Sequence, residues 1–145
     1  MIAASQNAPG AIIEGISLQK TARPGLELII GMTRDPQFGP MLMSGLGGIF
    51  VEVLKDISFR IVPLSGEDAG EMIREIKSYR ILEGYRGNPP VDVEYLEGLL
   101  LKLSRSIEQN PEIKEMDINP LIAYSRGAVA VDARIILEDD AIISS

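Results

Sequence analysis

Apolar residues recur every second position at both ends of this chain and every third or fourth position between Ser65 and Asn110. Period two sends alternate side chains to opposite faces of a strand, whereas steps of three and four line one face of a helix. The segments "LELIIGM" (26–32), "MLMSG" (41–45) and "ISFRIVPL" (57–64) therefore read as strands. So does "AIIEGISLQK" (11–20), which alternates around Ile16 and Leu18. Pro24-Gly25 breaks the chain after it, predicting that it pairs antiparallel with "LELIIGM". "TRDPQFGP" (33–40) supplies the next turn. Ser65 with Asp68 three residues on approaches a capping box, and Met72, Ile73 and Ile76 form the stripe behind it. A second helix runs through "VDVEYLEGLLLKLSRSIEQN", with Val93, Leu96, Leu99, Leu100 and Leu103 on one face, and ends at Asn110-Pro111. "EIKEMDINPLIAYS" and "AVAVDARIIL" return to strand, turning at Arg126-Gly127. Strands, then helices, then strands predict an α+β fold: a mostly antiparallel sheet with two main helices packed on it. Residues 1–10 read as a flexible leader, 11–137 as the folded body and 138–145 as a frayed tail.

Composition narrows the chemistry. The 145 residues suit one domain, and a hydrophobic fraction of 46% is enough to build a core. Without cysteine there is no disulfide, zinc–thiolate site or thiol nucleophile. Without histidine, any phosphohistidine must sit on another polypeptide. Carboxylates, amides, Lys, Arg, hydroxyls and backbone remain. A net charge of −7 disfavours a nonspecific grip on nucleic acid, yet allows a nucleotide whose charge a divalent metal offsets. No apolar run reaches the roughly 18 residues of a membrane span, and the start lacks a basic region followed by an apolar one. The expectation is a soluble, cytoplasmic protein that meets neither membrane nor nucleic acid.

Glu115, Asp117 and Asn119 alternate along one predicted strand, so they share a face, while Met116 and Ile118 point into the core. A tight turn would lay Asp132 beside Asn119. Two carboxylates and an amide oxygen are hard ligands of the kind Mg²⁺ accepts in small number, with water and phosphate completing its shell. A solvated polar face of a half-covered sheet explains alternation alone equally simply, and more often. Pro120 adds to the metal reading, because it removes a ladder donor and bends the strand where Asn119 presents its side chain. Asp132 sits between Val131 and Ala133, and Arg134 on the same face is its expected partner.

The stretches "LQKTARPGLELIIGMTRDPQFGPMLMSGLGGIFVEVLKDISFRIVPL" and "EIKEMDINPLIAYSRGAVAVDARI" closely resemble the β subunit of ADP-forming acyl-CoA (acetate–CoA) synthetases, enzymes with an ATP-grasp fold. The resemblance spans about Ala11 to Leu137 and implies the second, C-terminal ATP-grasp lobe over 11–137. It implies a ligase component that binds ATP or ADP with Mg²⁺ and interconverts acyl-CoA, ADP and phosphate with carboxylate, CoA and ATP through phosphohistidine. Asn119 and Asp132 match the family's magnesium positions, and Asp117 falls where relatives carry an acid. Gln19 and Lys20 fall on the hinge strand at the adenine edge, and Glu27 falls where ribose hydroxyls are held. Arg134 is implied to approach phosphate. The implied partners are a first ATP-grasp lobe and a histidine-bearing, CoA-binding α subunit. The chain starts about where a first lobe would end, so activity in isolation is not expected and self-association is.

"SGLGGIFVEVLKD" stands between two readings. Gly45, Gly47 and Gly48 let backbone curl close to a ligand. The resemblance then implies that Gly47 and Gly48 approach the nucleotide and that Glu52 orients an incoming phosphohistidine. The plainer reading is a turn between strands with an ordinary surface Glu. For the whole chain the alternative to an enzyme component is a non-catalytic interaction or regulatory module that keeps the ATP-grasp lobe fold.

Overall fold

The structure is a computed structural model that describes residues 21–138. Strands β1 (Leu26–Asp35) and β2 (Gly39–Leu46) form a hairpin. Its turn is held by the Asp35 carboxylate, which accepts hydrogen bonds from the amides of Gln37 at 2.8 Å and Phe38 at 3.0 Å. A short helix α1 (Ile49–Glu52) leads to β3 (Ile57–Ile61). Helices α2 (Gly66–Arg74), α3 (Tyr79–Leu82) and α4 (Val93–Gln109) follow, then β4 (Ile113–Ala123), β5 (Ala128–Ala130) and β6 (Ala133–Leu137). The sheet runs β3-β2-β1-β4-β5, with β6 also on β4, and every pairing is antiparallel. The predicted class is thus the observed one: a sheet with α2 and α4 as its two main helices.

Strand β1 lies at the centre, with both edges taken by β2 and β4. The strand expected over Ala11–Lys20 and the leader lie outside the described residues. Of the predicted tail, Glu138 is described and donates its amide to the Glu112 carbonyl at 2.8 Å. Among the described residues, no helix is long and apolar enough to cross a membrane.

Register decides which face is buried. Leu28, Ile30 and Met32 of β1 stand between Leu46, Ser44 and Leu42 on one side and Leu121, Ile118 and Met116 on the other. This face takes Ala69, Met72 and Ile73 of α2 and Leu96, Leu100 and Ile107 of α4. Leu42, Leu46 and Met72 are fully buried. Each such side chain contributes about 1.5–3 kcal/mol of transfer free energy. The buried line on α4 runs Leu96–Leu100–Ser104–Ile107, with Leu99 and Leu103 flanking it half-buried. The Ser104 hydroxyl is buried because it accepts the Leu64 amide at 2.9 Å.

Polar groups lock the layers. The Ser65–Asp68 capping box forms at α2, with Asp68 N to Ser65 Oγ at 3.0 Å and Ser65 N to Asp68 Oδ2 at 2.8 Å. Asp92 caps α4, accepting from Tyr95 N at 3.0 Å, and also takes the amide of Gly127 at 2.9 Å. It therefore ties the helix to the β4–β5 turn. Asp56 accepts the amides of Lys77 and Ser78 at 2.7 and 2.8 Å, and the Ser78 hydroxyl as well. Tyr79 sits in α3 packed against the core, while Tyr85 is exposed.

Candidate functional site

The face of the sheet opposite the helices is open around Thr33, Phe59 and Arg134, while Ile29 and Ile122 on the same face are buried. Gly31 pairs with Met43 and with Asp117, Met43 with Phe59, and Asp117 with Arg134. These alternate positions, set by the period of two, form a concavity of about 390 Å³ lined by Gly31, Thr33, Phe59, Glu115, Asp117 and Arg134 among others. Met41 and Met43 belong to this face, whereas Met32 is in the core. Gly31 keeps the middle low, since a Cβ there would come within 3.2 Å of Met43 Cε.

Beside this concavity the ladder is irregular. Leu28 pairs with Leu121 and Ile30 with Ile118, so the single residue Ile29 faces both Asn119 and Pro120. This is a bulge, at the proline that cannot donate to the ladder. On the other edge of β4, the Asn119 amide donates to the Asp132 carbonyl at 3.1 Å, and the Val131 amide donates to Pro120 at 3.0 Å. Asn119 and Asp132 are thus direct neighbours, both exposed, as a tight turn predicts. The turn is closed by Tyr124 N to Gly127 O at 3.0 Å. Asp132 lies in the gap between β5 and β6, not within a strand. Exposed to water, it needs no internal counter-charge, and it forms no ion pair with Arg134. The ion pairs among the described residues join Arg60 to Glu71 and Glu75, and Arg74 to Glu97.

The donor set suits a hard, largely hydrated cation. Asn119 and Asp132 offer two oxygen side chains on hydrogen-bonded neighbours, with half-buried Asp117 two residues along β4. Among the described residues, no group of three or more His, Cys, Asp or Glu forms a protein cage. Such a pair fits Mg²⁺, which keeps most of its shell for water and phosphate, better than zinc or calcium.

Glu27 and the glycine loop occupy the far end of the face. Glu27 pairs with Ile122, four residues along β1 from the Gly31–Asp117 pair, or about 13 Å along a strand. The Gly47 amide donates to the Glu27 carbonyl at 2.9 Å. Gly48, at φ +64°, opens α1, and the Glu52 amide donates to its carbonyl at 3.0 Å. Glu52 is exposed beside Ile49, Val53 and Leu54, which are 59–70% exposed. The structure thus sets Asp117 and Arg134 at one end of the face and Glu27, Gly47, Gly48 and Glu52 at the other, with Asn119 and Asp132 between them, level with Ile29. Gln19 and Lys20 lie outside the described residues. Thr33, Phe59 and Glu115 also line the concavity. Alternation marks each of them, but only the strand order shows that they converge.

The family model for an ATP-grasp domain matches residues 1–137. The chain is 55% identical over 129 residues to the beta subunit of ADP-forming acetate–CoA ligase I of Pyrococcus furiosus, covering 89% of this chain and 56% of that subunit. It is 51% identical over 132 residues to ADP-forming acetate–CoA ligase I of Archaeoglobus fulgidus, covering 91% of this chain and 19% of the relative. Among solved structures it is similar to dinucleotide forming acetyl-coenzyme A synthetase 1 of Ca. Korarchaeum cryptofilum, in complex with coenzyme A and acetyl-coenzyme A and with a phosphorylated phosphohistidine segment. The TM-score is 0.84 at 55% identity, covering 93% of this chain and 60% of that one. The chain thus spans about half the length of the Pyrococcus subunit. By the family model, matched over nearly its whole length, this chain belongs to the ATP-grasp domain family.

Proposed function

We propose that the chain is the nucleotide- and Mg²⁺-binding second lobe of an ADP-forming acyl-CoA (acetate–CoA) synthetase, acting in the cytoplasm. In that enzyme acyl-CoA, ADP and phosphate give carboxylate, CoA and ATP. The phosphohistidine lies outside these 145 residues, which contain no histidine. A first ATP-grasp lobe and a histidine-bearing, CoA-binding α subunit complete the assembly. The observation that carries this reading is the Asn119–Asp132 pair at the edge of an open sheet face. It is supported by similarity to a Korarchaeum synthetase solved with coenzyme A and Mg-AMPPCP, its phosphohistidine segment pointing towards the nucleotide binding site.

Phosphoryl transfer depends mainly on positioning and charge neutralisation. Mg²⁺ held by Asn119 and Asp132 would supply positive charge to the outer phosphates. Asp132 brings a full negative charge to that site, and Asn119 brings a neutral oxygen that does not over-neutralise it. Asp117 acts through water, and Arg134 across from it faces phosphate. Glu27 accepts from ribose hydroxyls, Gly47 and Gly48 allow close backbone approach, and Glu52 orients the incoming imidazole. Gln19 and Lys20 meet the adenine edge.

The test is turnover of the complex reconstituted with the first lobe and α subunit. Asp132→Ala is expected to reduce Mg²⁺-dependent ATP formation to about 1% or less, and Asn119→Ala to reduce it less. Near-normal turnover by Asp132→Ala would sink the assignment.

A further inference from the structure

A second cleft lies where β1 begins, the β4–β5 turn closes and the α3–α4 loop crosses. At about 620 Å³ it is roomier than the concavity of about 390 Å³ on the open face, and within the usual range for small-molecule sites. Half-buried Leu26, Ile81 and Val91 and buried Ala123 give it an apolar lining. Arg23 and Arg126, from segments far apart in sequence, both line it, and no Asp or Glu does among the described residues. In a chain of net charge −7 the lining itself reverses the sign, with the nearby Asp92 carboxylate, bonded to the Gly127 amide, facing the Arg126 charge from behind the turn. Neither arginine forms an ion pair among the described residues.

The walls are held in place. The Arg23 guanidinium lies over the Tyr124 ring, 4.7 Å from its centroid, and the Tyr124 hydroxyl donates to the Arg23 carbonyl at 2.7 Å. Gly25 is pressed against β4, where a Cβ would come within 2.7 Å of Ile122 Cγ2 and 2.8 Å of Tyr124 Cε1. The opposite wall is a loop with three left-handed residues: Gly84 at φ +104°, Arg86 at +49° and Gly87 at +81°. A non-glycine residue in that region costs free energy that its surroundings must offset, and such residues gather at ligand sites. Hydrogen bonds from Val91 N to Leu82 O at 2.9 Å and from Asp92 N to Tyr124 O at 2.8 Å fasten this wall to the turn. Exposed Tyr85 adds a flat ring, one face of which carries the Arg86 guanidinium at 5.4 Å from the centroid.

We propose that this cleft binds a small organic anion, a carboxylate or phosphate carried on a flat apolar body. Arg23 and Arg126 take the anion, and the body lies on Leu26, Ile81 and Val91 beside Tyr85. Bare phosphate would leave the apolar lining unused, and a neutral aromatic compound would leave both guanidinium groups unmatched. The site is independent of the Asn119–Asp132 pair and makes no use of the nucleotide.

The experiment is an NMR titration of the isotope-labelled chain with phenyl phosphate, benzoate and inorganic phosphate in parallel. Saturable shifts at Arg23, Tyr85 and Arg126 are expected with at least one aryl anion, and the tighter of the two names the head group. Inorganic phosphate should bind about tenfold more weakly or worse. The double variant Arg23→Gln/Arg126→Gln should lose about tenfold in affinity, and Asp132→Ala nothing. Arg126→Gln alone guards against misfolding, because the Arg126 side chain makes no hydrogen bond or ion pair among the described residues; it should keep the wild-type spectrum and lose part of the affinity. The proposal is overturned by absence of saturable binding with both aryl anions, by wild-type affinity in the double variant, or by loss of binding in Asp132→Ala.

Discussion

The two faces of one sheet are built from the same strands and serve opposite ends. Along β4, Met116 and Ile118 are buried under the helices, while Glu115 and Asn119 on either side of them stand in water and Asp117 between them is half-buried. Along β1, Met32 is buried and Thr33 exposed. The helix face closes around Leu42, Met72 and Leu100 and supplies the stability. The open face leaves Phe59 and Ile61, at 44% and 48% exposed, beside carboxylates and Arg134. A face that keeps apolar and charged groups together in water gains little folding energy from them. The contrast therefore separates residues that hold the fold from residues available to a ligand.

That separation can be broken by substitution. The largest loss of stability is expected for Leu100→Ala in the helix-covered core, about 2–5 kcal/mol in urea unfolding, because the neighbouring helices cannot close the cavity completely. A loss under 1 kcal/mol would mean that the core is loosely packed. Next comes Asp56→Ala, which strands the Lys77 and Ser78 amides and should cost about 1–3 kcal/mol by the same assay.

Asp56 also has a pH signature. Its burial favours the neutral acid, but the Ser78 hydroxyl, the two amides and the Lys77 charge outweigh burial and hold its pKa below the usual 3.8. A carboxyl depressed in the folded state contributes stability that is present above the unfolded value and lost as pH falls through the folded one. Unfolding midpoints followed downward from pH 5 should therefore drop below about pH 3.8, and less steeply in Asp56→Asn. Identical acid profiles would remove Asp56 from the account. The smallest effect belongs to the open face: Phe59→Ser should change stability by no more than about 0.5 kcal/mol, and a larger loss would show that this face is covered in solution.

How much of this was legible in the sequence depended on how local each cause was. The capping box at Ser65 and Asp68, the stop at Asn110-Pro111 and the turn at Gly127 are set by residues within a few positions of one another, and the structure keeps them. The Asn119–Asp132 contact was legible too, because a short turn fixes which residues of two strands meet. Long-range causes were not. No pattern near Asp56 says that it will cap Lys77, and none near Arg34 says that its guanidinium will bond Ile113 and Pro111 carbonyls at 2.7 and 3.0 Å. The bulge at Asn119–Pro120 and the gap at Asp132 come from fitting β4 between two partners at once. That is why Asp132 read as a strand interior needing Arg134. The turn of α1 gave no helical period, since four residues are too few to repeat one.

The most direct measurement of the central claim is calorimetric titration of ADP and ATP into the purified chain, with and without Mg²⁺, for the wild type and Asp132→Ala. Binding that strengthens about tenfold or more with Mg²⁺ in the wild type, and loses that gain in the variant at unchanged stability, is the predicted result. Nucleotide binding that ignores both Mg²⁺ and the substitution would contradict a nucleotide site built on Asn119 and Asp132; no binding by the wild type calls for the same titration with the first lobe added, where the same indifference would contradict it.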